Sequence, residues 1–316
     1  PLKTVFTIHN LGNQGKWNAK AVENWLFDGK IARLKRFGEN FNFMAEGIMN
    51  ADIVTTVSPS YAKEIRTPEY GMGLEKIINS LKRKPAGILN GIDCEFFNPE
   101  TDKFIFSNYS QKKMALKREN KLALQKFCGL AVDGEKPVFG LVSRLTGQKG
   151  IALIAPVIKE LVSRVQFVFL GAGEKKYEEA LIQAGKKFPQ NVFVQIGFSE
   201  ELAHRIYAGS DFFLMPSIFE PCGLGQMIAM RYGAIPVCRR TGGLKDTVKD
   251  GKNGFLFEKP SPAGLKKAVL RALDLFFDKP RFQIMRNNCL KENFCWENRA
   301  REYRKMYSGL LTPLET

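Results

Sequence analysis

Long apolar runs are missing from this chain. None approaches the roughly 18 residues that a membrane span needs, so no membrane partner is expected. No cationic-then-apolar leader opens the sequence, and nothing marks secretion. Histidine is scarce, at two in 316 residues. The six cysteines (Cys94, Cys128, Cys222, Cys238, Cys289, Cys295) form no CxxC pair, so metal-ligand spacing and a compact disulfide framework are both absent. Reduced thiols in a cytosolic compartment, and no metal site, are the reading that follows. Neither histidine has a Ser or Cys partner at a recognisable nucleophile turn, which argues against acyl transfer. A hydrolase's paired carboxylates cannot be picked out either.

Acidic residues are also in deficit. Lys and Arg number 48 against 32 Asp and Glu, a formal charge of +16. Such an excess favours anionic partners. The basic residues are dispersed through amphipathic stretches such as "SQKKMALKRENKLALQKF", with no finger, RNP or helix-turn-helix signature. A solvated basic surface is therefore preferred to a specific nucleic-acid site, and nucleotide phosphates are the more economical anion. A hydrophobic content of 44% and an aromatic content of 11% fit a globular chain long enough for two domains. The opening "PLKTVFTIHN" reads as an interior strand without an initiating Met, so the chain is read as a fragment whose N-terminal part is missing.

Four segments are expected. Residues 1–92 alternate short apolar runs ("TVFTIHN", "DIVTTVSPS", "AGILNGID") with loops and one helical pattern, "FMAEGIMNA". Charge and helix formers dominate residues 93–136, a helical linker region. Between 137 and 290 near-continuous apolar strands ("VFGLVSRL", "QFVFLGAG", "NVFVQIGF", "DFFLMPS", "IPVCRR") alternate with helices. That rhythm predicts an α/β fold with a parallel, doubly wound sheet and right-handed crossovers. Residues 291–316 form a C-terminal helix. In such sheets ligands bind at the carboxyl ends of the strands.

Four clusters sit at those ends. In "SRLTGQKG", Arg144 and Lys149 flank a strand-to-helix turn, where cations and oriented N–H groups suit a diphosphate; two solvated basic residues are the commoner meaning of such a pair. "GAGE" resembles half of a dinucleotide fingerprint and serves equally as a packing turn. Phe198 in "IGFSE" is placed to stack on a base, although a core Phe is commoner. In "SIFEPCGLGQM", Glu220 follows a strand and precedes a helix: backbone N–H groups from Gly223 onward can meet an anion or a sugar hydroxyl, and a structural N-cap is the other reading of Glu220. Downstream, the glycine pair of "RRTGGLKDTV" permits close backbone approach. His9 in "TIHN" is read as a satisfied structural histidine.

In order and spacing, "FTIHNLGNQG", "VTTVSPSYAKEI", "GILNGIDCEFFNPETD", "SRLTGQKG", "FEPCGLGQ" and "RRTGGLKDTV" together resemble the starch/glycogen synthase family, essentially end to end. The resemblance implies a GT-B fold of two Rossmann-like domains: 1–92 a remnant of the N-terminal acceptor-side domain, 137–290 the nucleotide-sugar domain, and the 291–316 helix packing back toward the former. It implies retaining transfer of glucose from ADP-glucose to the non-reducing 4-hydroxyl of an α-1,4-glucan, with no further cofactor. Arg144 and Lys149 would hold the diphosphate and Glu220 would contact the donor glucose. Donor contacts would come from Asn90, Phe198, Cys222, Gly223, Leu224, Thr241 and Gly242. Family members often carry Tyr at position 198 and Thr at position 225, where this chain has Phe and Gly. The family's Lys-x-Gly-Gly-Leu donor loop is absent; "RRTGGL" looks similar but belongs to the C-terminal domain. A bacterial cytoplasm is expected, with a plastid as the other setting. Two alternatives stay open: a UDP-glucose-dependent transferase of the same fold, and a non-catalytic glucan-binding fragment.

Overall fold

The computed structural model describes residues 2–23 and 36–311. It divides into two compact units, residues 1–89 with 299–316, and residues 90–298. The part of the expected 291–316 helix beyond residue 311 lies outside the described residues.

The first unit carries β1 (Val5–Ile8), β2 (Lys16–Asn18), α1 (Ala19–Glu23), β3 (Arg36–Phe37), β4 (Asn40–Asn42), α2 (Phe43–Asn50), β5 (Ile53–Thr56), α3 (Pro59–Glu64), α4 (Glu75–Ser80) and β6 (Ala86–Gly87). Strands β1, β5 and β6 form a parallel sheet in that order, with Val5 opposite Ile53 and Thr55 opposite Ala86. Its core gathers Ile8, Leu11, Ala45, Ile48, Val54, Tyr61, Ile65, Leu74 and Ile78. Two helix starts follow their sequence signals: Asn42 accepts from the Ala45 N–H at 3.0 Å, and Ser58 accepts from the Tyr61 N–H at 3.2 Å with Pro59 next in line. The "GNQGKW" segment, expected as a loop, ends in β2, which pairs antiparallel with β4, as β3 does on the other side. Only two residues of the expected "AGILNGID" strand are extended.

The second unit begins with turns and α5 (Ala115–Phe127) and continues as β7 (Val138–Val142), α6 (Ile154–Leu161), β8 (Gln166–Gly171), α7 (Lys175–Lys187), β9 (Val192–Ile196), α8 (Glu200–Gly209), β10 (Phe212–Met215), α9 (Gly225–Arg231), β11 (Ile235–Arg239), α10 (Gly242–Thr247), β12 (Phe255–Phe257), α11 (Pro262–Phe277) and α12 (Lys279–Lys291). A last helix, α13 (Trp296–Leu311), starts here, and its residues from Arg299 onward belong to the first unit. All six strands are parallel, in the order β12-β11-β10-β7-β8-β9. The doubly wound sheet is as the alternation predicted, because strands covered on both faces must be apolar throughout. β12 and α12 were not read from the sequence.

The order reverses between β7 and β10. Those two strands are neighbours, Phe212 opposite Phe139, yet their chains cross over to opposite sides. A crevice opens outside the carboxyl ends at such a point, so the segments after β7 and β10 meet there. Helix α5 packs against α8, and its Lys121 forms a buried ion pair with Asp211 at 2.7 Å, joined by Arg286 at 3.3 Å. A second buried network holds the turns before α5: Asp102 receives the Tyr232 hydroxyl at 2.5 Å and lies 2.7 Å from His204 Nδ1, among Phe96, Phe97 and Phe104.

Candidate active site

After β7 the chain makes two short 3-10 turns, Gly147–Lys149 and Ile151–Leu153, before α6 begins at Ile154. The helix expected from Gly150 therefore starts later; Pro156 falls in its first turn, where a missing N–H costs nothing. After β10, residues 216–224 form a turn segment leading into α9. The two segments are laced together: the Ile218 N–H donates to the Gln148 carbonyl at 2.7 Å, and Gln148 Nε2 to the Phe219 carbonyl at 3.4 Å.

This lacing brings Lys149 and Glu220 into contact. Lys149 Nζ lies 2.6 Å from Glu220 Oε2, with side-chain exposures of 16% and 6%. Ser217 Oγ donates to the same carboxylate oxygen at 2.8 Å. Glu220 is thus no helix cap: the N-cap position of α9 is Leu224, and no side chain caps it. A carboxylate this buried stays where a cation and a hydroxyl are fixed beside it.

Behind the pair the backbone is tightly stacked. The Gly243 N–H donates to the Glu220 carbonyl at 3.1 Å, and a Cβ on Gly243 would fall 2.2 Å from the Cys222 carbonyl oxygen. Only glycine fits there, which is the physical content of the glycine pair in "RRTGGL". Gly242 opens α10, with the fully buried Thr241 at the cap position. Cys222 is buried, Gly223 has φ of +77° and Leu224 is 44% exposed. Gln226 Nε2 donates to the Cys222 and Gly223 carbonyls at 3.3 and 2.9 Å.

The remaining expected positions stand further out. Arg144 is exposed two residues after β7, and among the described residues its guanidinium has no ion-pair partner. Phe198 follows β9 and is 90% exposed, so it is no core residue. Asn90 opens the second unit; its Oδ1 is buried and has no hydrogen-bond partner among the described residues. Sequence reasoning missed Ser217 and Gln226, which hold Glu220 and its loop. Their signal was a hydroxyl two residues after a strand and an amide one residue into a helix.

Two readings are corrected. His9, expected as a satisfied structural histidine, is exposed immediately after β1. The cysteines are not all free thiols: Cys94 and Cys295 form a disulfide. Their backbones had to meet in the fold, and a sequence separation of 201 residues gave no hint of it. Among the described residues no group of three or more His, Cys, Asp or Glu is arranged to hold a metal ion, and no helix is long and apolar enough to cross a membrane.

A doubly wound sheet with a cation–carboxylate pair where its strand order reverses fits a glycosyltransferase, and residues 125–288 match the family "Glycosyl transferases group 1". Residues 1–80 match "Starch synthase catalytic domain". The glycogen synthase of Kosmotoga olearia is 46% identical over 98% of this chain and 67% of its own length. That of Thermodesulfovibrio yellowstonii is 42% identical over 98% of the chain and 63% of its own length. The catalytic domain of starch synthase IV from Arabidopsis thaliana, bound to ADP and acarbose, superposes with a TM-score of 0.90 at 36% identity, covering 97% of this chain and 66% of that one. Sucrose-phosphate synthase from Thermosynechococcus elongatus, at 20% identity and a TM-score of 0.63, shares the fold. The chain belongs to the glycogen and starch synthase family, glycosyltransferases of GT-B fold. It spans about two thirds of the length of the relatives it matches.

Proposed function

We propose that the chain transfers glucose from ADP-glucose to the non-reducing 4-hydroxyl of an α-1,4-glucan with retention of configuration. The observation that carries this reading is the Lys149–Glu220 pair at 2.6 Å, fixed at the reversal of strand order in a chain so similar to an ADP-bound starch synthase. Lys149, with one N–H bond committed to Glu220, turns its others toward the diphosphate, and the exposed Arg144 adds a bidentate donor. Both neutralise charge as the diphosphate leaves, the main resource for a front-face displacement through an oxocarbenium-like state. Glu220 keeps one carboxylate oxygen on Lys149 and Ser217 and offers the other to the donor glucose. Gly223 and Leu224 supply main-chain N–H groups at the start of α9, with Cys222, Thr241 and Gly242 shaping the wall behind them. Phe198 stacks on adenine, and Asn90, whose amide oxygen lacks a partner among the described residues, contacts the sugar. The expected setting is the cytoplasm, with no metal required by these residues.

The test is a transfer assay with maltoheptaose as acceptor, following the anomeric configuration of the new linkage by NMR. ADP-glucose should give an α-linked octamer and UDP-glucose little. Equal use of UDP-glucose would point to the other donor class. Glucan binding with no nucleotide binding would make the chain a binding module.

A further inference from the structure

We propose that Cys94–Cys295 is an exchangeable disulfide, opened by an anionic low-molecular-mass thiol, whose state sets the geometry of the donor site. The inference rests on the donor reading above for its functional consequence, and on independent geometry for the exchange.

Thiol chemistry in this chain is concentrated at one place. Cys128, Cys222, Cys238 and Cys289 are all buried. Burial pushes the Cys128 thiol up to about 12 and raises those of Cys238 and Cys289 as well, so these sulfurs are poor nucleophiles. Cys94 and Cys295 are only half-buried, with Cα atoms 5.5 Å apart. Both line a cavity of about 220 Å³ whose wall includes Met227, Arg231, Lys291 and Glu292. Two cations against one carboxylate favour an anionic thiol in that space. A thiolate attacks one sulfur, the S–S bond breaks, and the displaced sulfur leaves as a thiolate and takes up a proton. A second thiol then resolves the mixed disulfide. The balance is one protein disulfide plus two thiols giving two protein thiols plus the oxidised small-molecule disulfide.

The bridge is wired to the site on two sides. On the first, it ties the opening of the second unit to its end: the Ile92 N–H donates to the Phe294 carbonyl at 2.9 Å. Gly91 lies so close to Trp296 that a Cβ would fall 2.6 Å from its Cα. Asn90, next in the chain, takes its position from this clasp. On the second side, Arg231 donates to the Cys94 carbonyl at 3.4 Å and the Phe97 carbonyl at 3.3 Å. Arg231 ends α9, Met227 lies within it, and the loop of Glu220 and Gly223 leads into it. One covalent bond therefore anchors both Asn90 and the helix behind Glu220, and opening it frees both.

The experiment treats the chain under native conditions with reduced glutathione, maps alkylated cysteines by mass spectrometry and titrates ADP calorimetrically into both forms. A Cys94→Ser/Cys295→Ser double variant runs alongside. The expected result is that glutathione exposes Cys94 and Cys295 alone to alkylation. ADP affinity then falls roughly five-fold or more, the lower range of ordinary coupling between sites. The double variant should bind as the reduced form does, with or without glutathione. Alkylation of both cysteines before reduction overturns the proposal, as does equal ADP affinity in the two forms. No ADP binding by the oxidised chain overturns the donor reading and the coupling with it, while the alkylation map still decides whether the bridge exchanges.

Discussion

Arg144 and Lys149 differ in what surrounds them, and that difference separates binding from stability. Arg144 is exposed, so Arg144→Ala should weaken ADP binding by about ten-fold, one charge-assisted contact, and leave the melting temperature unchanged. Lys149 is paired with a carboxylate that is 94% buried, so Lys149→Ala should also destabilise the fold, by about 3 kcal/mol, because it leaves that buried carboxylate without its cation. Calorimetry beside thermal unfolding distinguishes the two. Phe198→Ala should leave stability within about 0.5 kcal/mol, since a side chain 90% exposed has no packing to lose. ADP affinity should drop by roughly ten-fold with loss of a base-stacking face, and Phe198→Tyr should retain it. At this scale the sequence marked Lys149 and Glu220 as candidates at strand ends, and the fold brings the two into contact at 2.6 Å. The sequence did not name Ser217, whose role depends on a turn bringing its hydroxyl within 2.8 Å of Glu220.

Five of the six parallel strands, β7 to β11, and the helices between them were legible because those strands are largely apolar and those helices amphipathic, whereas β12 was not. Ser199 and Ser261 mark two starts, accepting from the Leu202 and Gly264 N–H groups at 3.2 and 3.1 Å. The segments between elements were not legible, because long-range polar contacts decide them. The turns of residues 93–110 hang on Asp102, which takes hydrogen bonds from Tyr232 and the Phe104 N–H and lies against His204. Burial alone would push the Asp102 carboxyl up; the His204, Tyr232 and Phe104 contacts outweigh it and hold it below the usual carboxylate value. A depressed folded value means a contribution present above the unfolded value of about 3.9 and lost as pH falls through the folded one. Asp102→Asn should cost about 3 kcal/mol at neutral pH and flatten the acid limb of the stability curve. Urea unfolding from pH 6 downward checks both, and parallel wild-type and variant curves would contradict the assignment.

Across the molecule, the chain has two compact units, and one of them carries every expected donor residue from Asn90 to Gly242. The change in rhythm near residue 137 marks where the parallel sheet begins, but the division between residues 89 and 90 and the grouping of residues 299–316 with 1–89 require the fold. The Cys94–Cys295 bridge closes a loop whose ends are 201 residues apart, and chain entropy assigns such a closure about 5 kcal/mol. Reduction should therefore lower the melting temperature of the second unit; an unchanged transition would argue that the bridge adds no stability. The most direct test of the central claim is calorimetric titration of ADP, ADP-glucose and UDP-glucose into the chain and its Arg144→Ala variant. Saturable binding of ADP and ADP-glucose, weak binding of UDP-glucose and a loss on removing Arg144 are predicted. A folded chain that binds no nucleotide, or binds both donors equally and without regard to Arg144, would contradict the account.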